Sequence, residues 1–168
     1  TTQTILPQGY TGAPYSTQLN WSGYPAPTYA LSGGALPPGL GLDGTTGVIS
    51  GTPTAGFSGT FQVTASNAFG SLPVTYTLPI EGPPDITTEE LPHALFGQSY
   101  STTLAGSWTA PTFTASPADF APGLSLGPTS GTISGTPTQP GVSTVKITVQ
   151  DQAGSADHWY RLTVDAPP

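Results

Sequence analysis

Apolar and polar residues alternate in short runs along most of the chain. Tyr15, Thr17, Leu19 and Trp21 fall on one face of a strand, with Ser16, Gln18 and Asn20 on the other. Ile5 and Leu6, before Pro7, suffice for a short first strand, and Thr28 to Leu31 continue as a third. Phe61, Val63 and Ala65 alternate with Thr60, Gln62, Thr64 and Ser66. After a turn through Asn67 to Gly70, the alternation resumes at Val74, Tyr76, Leu78 and Ile80. Between these runs, Leu40 and Leu42 and then Val48 to Ser50 flank the turn formers Gly44 to Gly47, which predicts a β-hairpin. No stretch carries a helical period.

The same pattern then recurs. Pro37 to Thr54, PPGLGLDGTTGVISGTPT, returns 84 residues later as APGLSLGPTSGTISGTPT, Ala121 to Thr138. Leu40, Leu42 and Ile49 match Leu124, Leu126 and Ile133, and these six are the expected core of the two hairpins. Tyr100, Thr102 and Leu104 match Tyr15, Thr17 and Leu19. Val145, Ile147 and Val149 match Phe61, Val63 and Ala65. His158, Tyr160, Leu162 and Val164 match Val74, Tyr76, Leu78 and Ile80. A repeat of this length predicts two copies of one domain, residues 1–83 and 84–168, each able to close its own small core. Glu81-Gly82-Pro83-Pro84-Asp85 is the expected linker, semi-rigid because of its prolines. The ending Asp165-Ala166-Pro167-Pro168 repeats that linker, and the expectation is an excerpt of a longer protein. The fold class is all-β: two tandem immunoglobulin-like β-sandwiches of about seven strands each.

Leu36 to Thr54 resembles the signature, roughly LPPGLSLD..TGVISGTPT, of an immunoglobulin-like (dystroglycan-type, cadherin-like) domain family of bacterial surface proteins. The second copy departs from it mainly at Ala121 and Gly127. The resemblance implies fold and context, an extracellular or cell-surface setting, and no chemical activity.

Composition narrows the partners. There are 22 glycines and 20 prolines, a quarter of 168 residues, and only 7% of residues are charged. Two basic residues against nine acidic ones give a net charge of −7, which excludes the clustered cations that nucleic acid requires. No cysteine is present, so disulfides and thiolate sites are excluded. No apolar run reaches the length of a membrane span. The expected partners are further modules of the same polypeptide and a protein or glycan at the cell surface.

Few residues suggest chemistry. His158 falls at an inward strand position and reads as a packed histidine. His93 follows Pro92, near Glu89 and Glu90, with no nucleophile elbow and no evident cleft for a pair of acids, so catalysis is not expected. Asp151 and Asp157 flank the turn Gln152 to Ala156, and Glu81, Asp85 and Asp165 lie at domain ends. They are the weak calcium candidates. The first repeat has Asn67 and Pro73 in place of the first two, and the cadherin junction motif is missing, so no metal or other cofactor is expected. Trp21 is in phase with Leu19 and reads as core. Tyr24 and Trp108 occupy equivalent positions and are expected to share one packing role.

Trp159 differs. It is in phase with Arg161, Thr163 and Asp165, so it should face outward, where an exposed indole can anchor a sugar or a protein. A hairpin about Asp151 to Ala156 puts Val145 opposite Leu162, Ile147 opposite Tyr160 and Val149 opposite His158. It likewise pairs Phe61 with Leu78 and Val63 with Tyr76. In that register Lys146 faces Arg161 and Trp159 faces Thr148, a mildly unfavourable meeting of like charges. Both long side chains can splay into water or stack on Trp159. Alternatively Lys146, Trp159 and Arg161 form a patch for an acidic partner, either an anionic glycan or a carboxylate of a neighbouring module.

Overall fold

The computed structural model describes residues 4–166, and these contain strands and turns but no helix. The chain divides into two compact units, Thr1–Gly82 and Pro83–Pro168. The first unit runs through β1 (Thr4–Ile5), β2 (Gly9–Tyr10), β3 (Tyr15–Gln18), β4 (Thr28–Gly34), β5 (Leu40–Leu42), β6 (Val48–Gly51), β7 (Thr60–Asn67), β8 (Gly70–Thr77) and β9 (Ile80–Glu81). One sheet has the order β1-β8-β7-β4 and the facing sheet β3-β6-β5, with β2 and β9 paired beside them. Counting the broken first strand (β1, β2) and the broken last strand (β8, β9) once each leaves the expected seven. The breaks have a cause. Pro7 and Pro79 lack the amide that would continue the ladder.

The second unit repeats the two facing sheets and differs at its first strand. Its strands are β10 (Asp85–Ile86), β11 (Ala94–Leu95), β12 (Tyr100–Thr103), β13 (Gly106–Ser107), β14 (Thr112–Ser116), β15 (Leu124–Leu126), β16 (Thr132–Gly135), β17 (Gly141–Asp151) and β18 (Gly154–Asp165). The sheets are β11-β18-β17-β14 and β12-β16-β15, with β10 paired to β13. Thr163 replaces Pro79, and β18 accordingly runs unbroken to Asp165.

Each unit has its own core between the two sheets. In the first, Leu19, Ile49, Phe61, Val63 and Leu78 are buried; in the second, Leu104, Ile133, Val145, Ile147 and Leu162. The signature hairpins form as expected, Leu42 opposite Ile49 and Leu126 opposite Ile133. Ile49 and Ile133 are fully buried and Leu124 is buried. Leu40, Leu42 and Leu126 pack half-buried against the same cores. In the first hairpin turn, Asp43 Oδ1 accepts the Thr45 and Thr46 amides at 2.8 Å each. These bonds, the Thr46 amide first, hold the Asp43 carboxyl below its ordinary value. Gly127 stands in the second copy, where no carboxylate is available.

Three expectations need correction. The last hairpin is registered two residues away from the expected pairing: Lys146 faces Trp159, Arg161 faces Thr144, Val145 faces Tyr160 and Ile147 faces His158. The first unit agrees, with Phe61 opposite Tyr76 and Val63 opposite Val74. The turn decides this. Asp151 pairs with Gly154 and Asn67 with Gly70, which leaves two-residue loops. The Asp151 carboxylate accepts the Ala153 amide at 2.8 Å, and the Asn67 side-chain Oδ1 accepts that of Phe69 at 2.9 Å. Gly154 and Gly70 supply the positive φ, 145° and 156°. Because the slip is two residues, every side chain keeps its face.

The shared role of Tyr24 and Trp108 also fails. Tyr24 is 91% exposed, whereas Trp108 is half-buried and meets Phe113 edge-on with centroids 5.1 Å apart. The reason lies just upstream. The first repeat carries Trp21, two residues past Leu19, packed on the core and donating its indole N–H to the Tyr76 hydroxyl at 2.7 Å; two residues past the matching Leu104 the second has Gly106, and the Trp108 ring lies over it. Each unit therefore packs one indole against its core, from a different position. Finally, the linker is shorter than expected. Glu81 belongs to β9 and Asp85 to β10, so only Gly82, Pro83 and Pro84 lie outside strands.

Truncating Ile49 or Ile133 to alanine should cost about 2–5 kcal/mol of the stability of its own unit. Chemical denaturation of each variant measures this, and a loss below about half a kcal/mol would make the hairpin peripheral. The two ends of the pH scale should behave differently. Asp43 has a lowered folded value, so its contribution is present above 3.8 and lost as the pH falls through that lower value. Burial pushes the Tyr160 hydroxyl up to about 12, so its contribution is present below 10.0 and lost as the pH rises toward 12. NMR titration should place the carboxyl below and the phenol above their ordinary ranges. Asp43→Gly should remove acid sensitivity from the first unit only.

Candidate functional site

The outward face of β14, β17 and β18 is built by strand alternation, because Val145, Ile147 and Val149 turn inward and their neighbours cannot follow. Register then lays out three rows. Trp159, Lys146 and Ser116 form one; Asp157, Thr148 and Thr114 the next; Arg161 and Thr144 the third. Trp159 is 62% exposed, as its phase predicts. The expected clash of Lys146 with Arg161 does not occur. Instead, Lys146 Nζ lies 2.6 Å from Asp157 Oδ2, one step diagonally across the ladder. Both side chains remain partly exposed, so water screens the pair and it contributes little to stability. The Arg161 side chain makes no ion pair or hydrogen bond among the described residues. The sequence brought Lys146, Trp159 and Arg161 to one face correctly. It missed Asp157 as the partner of Lys146, which only the true register reveals.

The acidic residues are dispersed. Asp151 caps its own turn and lies 3.4 Å from the Thr109 amide through Oδ2. Asp157 holds Lys146. Glu81 accepts the Gln8 side-chain amide at 2.7 Å, and Asp165 meets His93 Nδ1 at 3.1 Å. Among the described residues, no three His, Cys, Asp or Glu gather in a way that could hold a metal.

The histidines have structural explanations. His93 and Asp165 are both exposed and sit where Gln8 and Glu81 sit in the first unit, so one polar clasp is made twice with different chemistry. That correspondence was available from the repeat. His158 is half-buried, with its ring 4.6 Å from that of Tyr160. The Tyr160 hydroxyl donates to the Thr88 carbonyl at 2.8 Å. Glu89 and Glu90 are exposed. Three surface cavities, of about 140, 270 and 630 Å³, are lined without any Asp, Glu, His, Lys or Arg.

Because Asp151 and Asp157 are committed to different partners and no three possible ligands gather among the described residues, EDTA should leave the melting temperature of both units unchanged, and millimolar calcium should not raise it. Calorimetry with and without chelator checks this. A fall of several degrees restored by calcium would overturn it.

Solved structures resemble this chain to different degrees. The chain resembles the I-band fragment I67–I69 of titin at 15% identity and a TM-score of 0.56, covering 98% of this chain and 64% of that one. Drosophila OTK extracellular domains 3–5 align at 14% identity and 0.48, covering 97% and 60%. An endo-fucoidan hydrolase of glycoside hydrolase family 107 aligns at 25% identity and 0.44, covering 96% and 28%. The chain thus spans less than two thirds of each of these solved chains. No curated protein sequence matches it. The family model described as "Putative Ig domain" matches residues 1–81 and again 83–165, so the chain belongs to that family as two tandem immunoglobulin-like domains.

Proposed function

We propose that this chain is a non-catalytic spacer of a larger bacterial cell-surface or secreted protein, carrying an outward face suited to adhesion. The observation that carries the reading is the parallel pairing, in each unit, of a strand near its start with its last strand. β2 runs parallel to β9, with Gly9 at Ile80 and Tyr10 at Glu81. β11 runs parallel to β18, with Ala94 at Val164 and Leu95 at Asp165. The Gly9 amide donates to the Pro79 carbonyl and that of Thr11 to the Glu81 carbonyl, each at 2.9 Å; that of Phe96 donates to the Asp165 carbonyl at 3.0 Å. Tension on the two ends of such a unit loads these bonds together in shear, instead of opening them one by one. A connection of three residues between the strands of consecutive units adds little slack.

The non-catalytic part rests on the cavities, which offer no acid, base or metal ligand. The extracellular part rests on the family and on a solvent face of Thr and Ser with few charges. No helix among the described residues is long and apolar enough to cross a membrane. A second reading, an accessory carbohydrate-binding module of a secreted enzyme, is favoured by the 62% exposure of Trp159.

Single-molecule pulling tests the spacer reading. Two unfolding events are expected, each releasing roughly 25 nm of chain. Phe96→Pro removes one amide donor from the β11–β18 contact and should lower the unfolding force of the second unit alone. Unfolding without measurable resistance, or an unchanged force in the variant, would refute the mechanical reading.

A further inference from the structure

We infer that the outward face of β14, β17 and β18 is a binding site for an acidic polysaccharide, with Trp159 as the stacking platform and Arg161 and Lys146 as the anion contacts. The inference rests on the adhesive side of the function proposed above; the spacer reading does not depend on it.

Charge is the first argument. The chain has one lysine and one arginine against nine acidic residues, and the first unit has neither cation. Both lie on this single face, and both adjoin the same exposed indole. Lys146 is directly across the ladder from Trp159, and Arg161 is two residues along on the same strand. Strand geometry puts the first at about 5 Å and the second at roughly 7 Å, backbone to backbone. Elsewhere among the described residues no lysine or arginine faces a polyanion.

The state of these groups is the second argument. The Arg161 side chain makes no ion pair or hydrogen bond among the described residues, so its guanidinium fork is free for a carboxylate or sulfate. Lys146 is held only by a half-exposed carboxylate, which a ligand anion can displace or share. Trp159 presents most of an apolar ring to water at a position where the first unit has Thr75.

The bed around them is the third. Thr144, Thr148, Thr114 and Ser116 flank the three residues in register and offer hydroxyls. A sugar ring can lay its C–H face on the indole, turn its hydroxyls to these side chains and its acidic group to Arg161. A neutral glycan leaves the arginine unused, and an acidic peptide brings no ring to the indole.

The whole 168-residue chain should be tested by biolayer interferometry against dextran sulfate, polygalacturonate, neutral dextran and poly-glutamate. Binding to one or both acidic polysaccharides is expected, with quenched tryptophan fluorescence and affinity that weakens with salt. The relative strength of the two separates sulfate from uronate as the anion recognised. Changing Lys146, Trp159 and Arg161 together to Gln, Thr and Thr, the side chains of the first unit at these positions, should abolish binding without changing the melting temperature. Trp159→Thr and Arg161→Gln alone should each weaken binding at least tenfold, which covers the case of a triple variant that misfolds. Undiminished binding by the variants, equal binding of neutral dextran, stronger binding of poly-glutamate, or no binding at all would each overturn the inference. None of these outcomes touches the pulling result.

Discussion

The structure depends on one backbone contact, made once in each unit. Gly39 and Gly51 meet across β5 and β6 so closely that a Cβ on either would run into backbone: Thr52 O for Gly39, Gly39 O for Gly51. Both have positive φ, 90° and 142°. The approach lets the Thr52 amide reach the Gly39 carbonyl at 3.1 Å and the Thr54 amide reach the Pro38 carbonyl at 2.9 Å. Gly123 and Gly135 repeat the contact, with Thr136 and Thr138 as donors. The flanks of the shared motif, PPGL and SGTPT, thus encode a chain crossing in which side chains have no room. That crossing fixes the hairpin whose Ile49 or Ile133 enters the core, so a short polar-looking sequence sets the position of a fully buried residue.

Once that hairpin is placed, the two units follow the same plan and diverge only where packing permits. The indole exchange shows the rule. Trp21 fills the place that Gly106 leaves open to the Trp108 ring in the second unit, and Tyr24 accordingly stands in solvent while Trp108 turns onto Phe113. The clasp at the sandwich edge varies in the same way, Gln8 with Glu81 and His93 with Asp165. In both cases the space to be filled or the donor to be satisfied stays the same and the residue supplying it changes. Position-by-position matching of the repeats therefore identifies environments better than it identifies roles.

This explains what could be read in the sequence. Faces were legible because strand alternation has a period of two and the core accepts only one phase; Phe61, Val63, Val145, Ile147 and Tyr160 all lie where the alternation puts them. Register was not, because a slip of two residues leaves every face unchanged. The choice between pairings lay in the turn, where a carboxylate or amide side chain captures an amide two residues on, and apolar patterning carries no record of it. Site residues inherit this limit. The face holding Trp159, Lys146 and Arg161 was readable, but which of them are adjacent was not.

Adjacency changes the chemistry of that face. In the expected pairing two cations oppose each other and their repulsion is the main feature. In the observed one, Asp157 lies diagonal to Lys146 and takes its charge, the indole stands between lysine and arginine, and only Arg161 is left without a counter-ion among the described residues. A sheet whose inner face must be apolar leaves its outer face free of any packing demand. On the first unit the matching positions hold Gln62, Thr75 and Thr77, none of them charged, and Gln62 Oε1 accepts the Ser32 hydroxyl at 3.3 Å. On the second they hold an exposed tryptophan and every basic side chain of the protein. Each sandwich closes on its own core whichever outer face it carries, and the contrast between the two faces is the basis of the polysaccharide site proposed above.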